Sequence, residues 1–149
     1  MNYILINEQL KSLMADVPDE ISNLANASAL IFDALPEINW AGFYVLKGGV
    51  LRLSCFQGKP ACTKIEIGRG VCGTAVAKDT VERVADVHAF AGHIACDSAS
   101  RSEIVVPLHK GGEIFGVLDI DSPSLNRFNA EDEEGITLLA KTIEEMLNR

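Results

Sequence analysis

Three of the four cysteines fall in one stretch, Cys62 to Cys96, with Cys72 between them. The centre of that stretch, GRGVCGTA, sets glycines 68, 70 and 73 around Cys72 and runs on into small helix formers. This is the pattern of a tight turn that delivers a helix N-terminus. A thiol there sits beside backbone amides that lack partners inside the helix. The far end, HAFAGHIACDSASRS, is small and polar with no regular period, which predicts a mobile surface loop for Cys96. Three thiols, one on a segment able to move, point to thiol chemistry rather than to a static core. Further on, Asp119 and Asp121 lie two apart in GVLDIDSP. On a strand they share a face, an unfavourable place for two acids unless something cationic binds between them.

Composition limits what such a site can serve. A chain of 149 residues with 48% hydrophobic content fits one compact domain, residues 1–149, able to bury a core without disulfides or metal. The formal charge of −8 and the lack of a Lys/Arg cluster argue against nucleic acid or an anionic membrane as partner. The opening MNYILINEQLKSLM has neither a basic n-region nor a cleavage site, and no apolar run reaches the roughly 18 residues of a membrane span. A cytoplasmic protein is therefore expected, with its cysteines kept as thiols available for catalysis, redox cycling or metal.

The elements that must position these groups follow from periodicity. Helices are predicted over Tyr3 to Met14 and Asp19 to Leu35, the second with Ile21, Leu24, Ala25, Ser28 and Phe32 as its apolar face and with Pro18 and Pro36 as punctuation. NWAGFYVLKGGVLRLSCFQG then reads as a hairpin turning at Gly48 and Gly49. On its first strand Trp40, Gly42 and Tyr44 share a face, and a glycine among large aromatics suggests a cleft. A helix from about Val71 to before Asp79, an edge strand in VERVAD, and an irregular loop with His88, His93 and Cys96 come next. RSEIVVPLHKGGEIFGVLDIDSP gives a second hairpin turning at Gly111 and Gly112. Asn129 caps a final helix whose stripe is Ile136, Leu139, Ile143 and Leu147, with Glu131 and Asp132 in its first turn. The fold class is α+β: an antiparallel sheet with N- and C-terminal helices packed mainly on one face, the other face left for a ligand.

NWAGFY, FQGKPACTKIEIGRGVCGTA, ADVHAFAGHIACDSASRSEIVVPL and GVLDIDSP together resemble the free methionine-(R)-sulfoxide reductases, a branch of the GAF-domain fold. The likeness runs from Trp40 to the last helix, and the cysteine spacing agrees with it. Cys55 departs from the family pattern and reads as a small buried strand residue.

The resemblance implies reduction of free methionine sulfoxide with no bound cofactor or metal. A thiolate attacks the electron-poor sulfur, a sulfenic acid forms, a second cysteine closes a disulfide, and an external dithiol, expected to be thioredoxin, reopens it. Two arguments about the nucleophile disagree. Local electrostatics favour Cys72, because a helix N-terminus and Arg69 lower a thiol pKa. The resemblance favours Cys96 in HIACDS, which is taken as the nucleophile, with His93 or Arg101 as support for its thiolate. Cys62 is the resolving cysteine, and Cys72 an alternate resolver or relay.

The same resemblance makes Glu103, Asp119 and Asp121 the substrate-binding carboxylates, meeting the ammonium, and Trp40 and Tyr44 the wall against the S-methyl group. Backbone amides of the GRGVCG turn or of the Cys96 loop would meet the substrate carboxylate. A geometric condition follows. With Gly111 and Gly112 as a plain two-residue turn, Glu103 pairs near Ile120 and faces away from the aspartates, so an odd loop or a bulge is required. Crowding should also raise one carboxyl pKa, making Glu103 or Asp121 a proton donor to the sulfoxide oxygen. The resemblance further implies a homodimer.

Two other readings compete. A metal site of Cys62, Cys72, His93 and Cys96 has nine residues between its first two cysteines, far from zinc-knuckle spacing. A noncatalytic GAF small-molecule sensor is the stronger rival, although such modules usually adjoin an output domain and this chain stops after its last helix. His88 and His109 read as surface or strand-end residues.

Overall fold

The computed structural model describes residues 1–92 and 99–149. The expectations for His93 and Cys96 fall outside them. The elements run α1 (Tyr3–Met14), α2 (Glu20–Ala34), β1 (Trp40–Lys47), β2 (Val50–Gly58), β3 (Lys64–Glu66), α3 (Gly70–Lys78), β4 (Glu82–Val84), a short 3-10 turn (Val87–Ala89), β5 (Ser102–Lys110), β6 (Glu113–Ser122) and α4 (Ala130–Leu147). One antiparallel sheet holds all six strands in the order β3-β2-β1-β6-β5-β4. Both of its edge strands are only three residues long, which limits edge-to-edge association.

Helices α1, α2 and α4 begin where a capping side chain can replace a missing amide partner. Asn2 accepts from Leu5 N at 3.0 Å and Asp19 from Ser22 N at 2.9 Å. Asn129 and Asp132 form a reciprocal capping box at 2.8 and 3.0 Å, an arrangement contributing about 1 kcal/mol per cap. Asp132 also accepts from Tyr3 Oη at 2.7 Å and from Arg127 Nη1 at 3.2 Å, which ties the first helix to the last.

Helices α1, α2 and α4 cover one face of the sheet and bury Phe43, Ile104, Leu108, Leu118 and Ile120 against Leu10, Leu24, Ile31, Ile136, Leu139 and Ile143. Each such side chain contributes about 1.5–3 kcal/mol of transfer free energy. Among the described residues, helix α3 alone of the α-helices lies on the opposite face, over Trp40, Tyr44, Val105 and Val117. The expected stripe of α2 needs correction: Ile21 is 66% exposed and Ala25 is exposed, while Asn23, Leu24, Ala27, Ser28 and Ile31 are buried. Asn23 can go inside because its Nδ2 donates to Val17 O at 2.9 Å, and Ser28 because its Oγ donates to Leu24 O at 2.8 Å. A polarity pattern cannot anticipate these side chains finding backbone acceptors. Strand β3 carries no periodic signal in the sequence, since three residues with one buried Ile65 are too short for a period to register. Among the described residues, no helix is long and apolar enough to cross a membrane.

Candidate active site

Both hairpins turn through glycine pairs, Gly48–Gly49 at φ 61° and 80° and Gly111–Gly112 at φ 63° and 80°. These backbone conformations suit the tight two-residue turn and exclude most side chains. The second turn is therefore of even length, and the parity change comes from a bulge. His109 pairs with Ile114 but Leu108 pairs with Gly116, leaving Phe115 as the extra residue on β6. Beyond it Glu103 stands opposite Asp121 and Val105 opposite Asp119. Strand β1 sets Trp40 opposite Asp121 and Gly42 opposite Asp119 on the other side. Directly opposed residues share a face, so all three acids and the Trp40–Tyr44 wall meet on the side that carries α3.

A second irregularity completes the wall. Between Gly42↔Phe56 and Tyr44↔Leu53, strand β2 has one residue more than β1, which turns Phe56 toward the acids' face. Its ring stacks on Trp40 at 5.1 Å between centroids and 14° between planes, and Trp40 stacks on Tyr44 at 5.9 Å and 24°. Trp40 Nε1 donates to Lys59 O at 3.2 Å and Tyr44 Oη to Cys62 O at 2.9 Å, so the two rings are anchored from behind. The role expected of Gly42 changes. A Cβ there would lie 2.3 Å from the Cβ of Phe56 and 2.7 Å from Cys55 O, so the glycine admits the neighbouring strand rather than opening a cleft.

Helix α3 lowers Cys72 onto the acids. Cys72 Sγ is 3.9 Å from Glu103 Oε2, and Cys72, Glu103 and Asp119 are only 4%, 9% and 4% exposed. Burial is the first cause holding the Glu103 and Asp119 carboxyls well above the usual range, followed for Glu103 by the charge of Asp119 and for Asp119 by that of Asp121. The same burial, followed by the Asp119, Glu103 and Asp121 charges, pushes the Cys72 thiol up. This overturns the electrostatic case for Cys72 as nucleophile: the helix N-terminus is there, but Arg69 is exposed and a partial positive charge is outweighed by desolvation and three acids. Asp119 Oδ1 is buried without a hydrogen-bond partner. An oxygen left so is costly unless a donor arrives.

Chemically, the cluster offers a protonated carboxyl able to donate, a buried carboxylate oxygen able to accept from a cation, and an aromatic surface. The chain matches the family described as GAF domain over residues 22–148. It is 52% identical over 145 residues to the free methionine-R-sulfoxide reductase of Escherichia coli (strain K12), covering 97% of this chain and 88% of that one.

The chain belongs to the free methionine-R-sulfoxide reductase family. Solved structures of the family agree with this fold. The reduced form of fRMsr of Staphylococcus aureus superposes with a TM-score of 0.95 at 52% identity, covering 98% of this chain and 95% of that one. The free methionine-R-sulfoxide reductase from Neisseria meningitidis, in complex with its substrate, gives 0.94 at 45% identity, covering 97% and 87%.

Within this family member, Trp40, Tyr44, Glu103, Asp119, Asp121 and Cys72 come together on one sheet face. Cys62 is disulfide-bonded and lies behind Tyr44 through its carbonyl, while Cys55 and Cys72 are free thiols. Cys55 is half-buried against the helical layer, its Sγ 3.6 Å from Ile21 O. Phe56 was missed. Its signal was the Gly42 position across the hairpin, legible only once the bulge is known. The cluster able to hold a metal among the described residues is Cys72, Glu103 and Asp119, a different set from the cysteine–histidine one weighed above.

Proposed function

We propose that this protein, as a single catalytic domain, reduces free L-methionine (R)-sulfoxide to methionine. The observation that carries the proposal is the convergence of Glu103, Asp119 and Asp121 on one sheet face beside the Trp40–Tyr44–Phe56 wall, in a chain so similar to reductases of that name. Substrate-complex structures of its relatives support the same substrate for this chain.

In this reading Asp119 and Asp121 receive the substrate ammonium, whose N–H groups satisfy Asp119 Oδ1. The aromatic wall packs on the methyl group attached to sulfur. The first turn of α3 has no side-chain cap, and Gly70 N donates to Gly92 O at 3.0 Å, so the Val71 and Cys72 amides are the donors assigned to the substrate carboxylate. A pocket that satisfies both charged ends excludes methionine sulfoxide within a polypeptide, where those groups are amides.

Cys96 is the nucleophile. Its thiolate attacks the sulfoxide sulfur, and the S–O oxygen is protonated by Glu103, which burial keeps neutral. The oxygen passes to Cys96 as a sulfenic acid and methionine leaves with two fewer oxidising equivalents. The Cys62 thiol then condenses with the sulfenic acid, forming the Cys62–Cys96 disulfide and releasing water. The free state of Cys55 and Cys72 beside a disulfide-bonded Cys62 supports Cys62 over Cys72 as resolver. An external dithiol, thioredoxin in the cytoplasm, reopens the bond by exchange. No cofactor is needed, because the thiols supply both electrons.

The assembly proposed is a homodimer, since Met1, Ile4 and Leu138 line one open groove between α1 and α4 and are 53%, 72% and 37% exposed. The deciding experiment incubates the protein with racemic free methionine sulfoxide and a dithiol and follows each epimer by chiral chromatography. Selective loss of the R epimer is expected. Survival of both epimers would overturn the reading and leave a noncatalytic ligand-binding module.

A further inference from the structure

One sulfur and two carboxylates converge in the site: Cys72 Sγ, a Glu103 oxygen and an Asp119 oxygen all lie within 4.8 Å of one another. The Asp119 side chain is almost wholly buried, yet its Oδ1 has no hydrogen-bond partner. The cluster is thus short of positive charge. The substrate ammonium supplies some, but nothing in these three donors restricts them to an ammonium.

Ligand chemistry indicates which other cation would enter. Magnesium and calcium require six or more oxygen ligands and gain little from sulfur. A borderline-soft ion without geometric preference accepts a mixed sulfur–oxygen set, and three protein ligands leave one position open. The Cys72–Glu103 separation of 3.9 Å is a few tenths longer than the roughly 3.5 Å edge expected for a tetrahedral ion with one sulfur and one oxygen ligand. A small side-chain adjustment closes that gap, and the entering ion displaces the Cys72 thiol proton and the Glu103 carboxyl proton to solvent.

We propose that between turnovers the site takes up a thiophilic divalent cation, zinc or cadmium, on Cys72, Glu103 and Asp119, and that this ion competes with the substrate ammonium. The inference rests on the reductase reading for its biological consequence, but the binding itself is independent of turnover. It gives Cys72 a consequence that needs no part in the disulfide chemistry: transition-metal stress would silence the enzyme at its substrate site.

The test uses the oxidised protein carrying Cys55→Ser, in which Cys62 is already bonded and Cys72 is the remaining thiol. Cadmium chloride is titrated in, and the ultraviolet cadmium–thiolate absorption is followed. One equivalent is expected to develop the band. Cys72→Ala and Cys72→Ser should abolish it. Glu103→Gln should weaken binding at least roughly tenfold, the lower end of what the loss of even an outer partner costs a metal ligand. Free methionine, which carries the ammonium, should displace the ion. Absence of the band, its persistence in Cys72→Ala, or failure of methionine to displace the ion overturns the proposal. A normal band in a protein that leaves both sulfoxide epimers untouched overturns the reductase reading instead.

Discussion

Glu103 stands directly across from Asp121 because Phe115 is squeezed out of the β5–β6 ladder. Deleting that one residue closes the bulge but leaves Leu108 opposite Gly116 and Glu103 opposite Asp121. A Phe115 deletion is therefore expected to keep the three acids on one face and to hold its reductase activity within about tenfold. It should lower the urea midpoint, since Phe115 packs against the helical layer and its loss leaves a cavity there. Phe115→Ala should behave alike. A loss of about 100-fold or more in the deletion, as for loss of a positioned acid, would contradict this ladder.

The proton-donor role proposed for Glu103 can be tested by replacing its carboxyl with an amide. Burial and the Asp119 charge raise its carboxyl pKa in the folded state, so the folded protein holds a proton that the unfolded chain has released. Stability assigned to this group is greatest below the ordinary carboxyl pKa and falls as pH rises toward the folded value. Glu103→Gln should abolish proton donation, lowering kcat by about 10²–10⁴-fold, while raising Tm at neutral pH. The gain should shrink at pH 4. A lower Tm at pH 7 would sink this account.

Gly42 tests the packing of the aromatic wall. Its Cβ position is occupied by Phe56 at 2.3 Å, so Gly42→Ala should force the β1 and β2 backbones apart at a cost of about 1–3 kcal/mol. With the Phe56 ring displaced from Trp40, KM for methionine sulfoxide should rise more than kcat falls. Steady-state kinetics at permissive temperature would separate the two.

His109 is more than the strand-end residue that its sequence position suggests. Its Nδ1 lies 2.6 Å from Glu144 Oε2 and its Nε2 2.8 Å from Asp79 Oδ1, joining β5 to α4 and to the end of α3. The Glu144 hydrogen bond first, and the Asp79 bond and charges after it, raise its pKa against an opposing desolvation. A raised histidine stabilises fully below its unfolded pKa near 6.5 and loses that contribution as pH climbs through the folded value. The Tm difference between the wild type and His109→Gln should accordingly be positive at pH 6 and decline on the alkaline side. A difference that grows with pH would contradict the clamp.

For the resolving step, Cys62→Ser should accumulate a sulfenic acid after one equivalent of methionine sulfoxide, trapped by dimedone and seen by mass spectrometry. Cys72→Ser should instead proceed to the disulfide. Dimedone labelling of both variants alike would return Cys72 to the resolving role.

Local chemistry alone determined much of this protein. The helix caps at Asp19 and Asn129, the glycine-pair turns and the two-residue spacing of Asp119 and Asp121 each follow from interactions within a few residues. The family, too, is legible in the cysteine-region motifs. Tertiary structure decided which face each strand shows. The two bulges each shift parity by one residue, one bringing Glu103 to the aspartates and the other bringing Phe56 to Trp40. It also reversed the electrostatics of Cys72, whose helix N-terminus is visible in sequence but whose burial among three acids is not. The physical reason is range: caps and turns are satisfied by near neighbours, whereas register, burial and the charge around a thiol depend on strands distant along the chain.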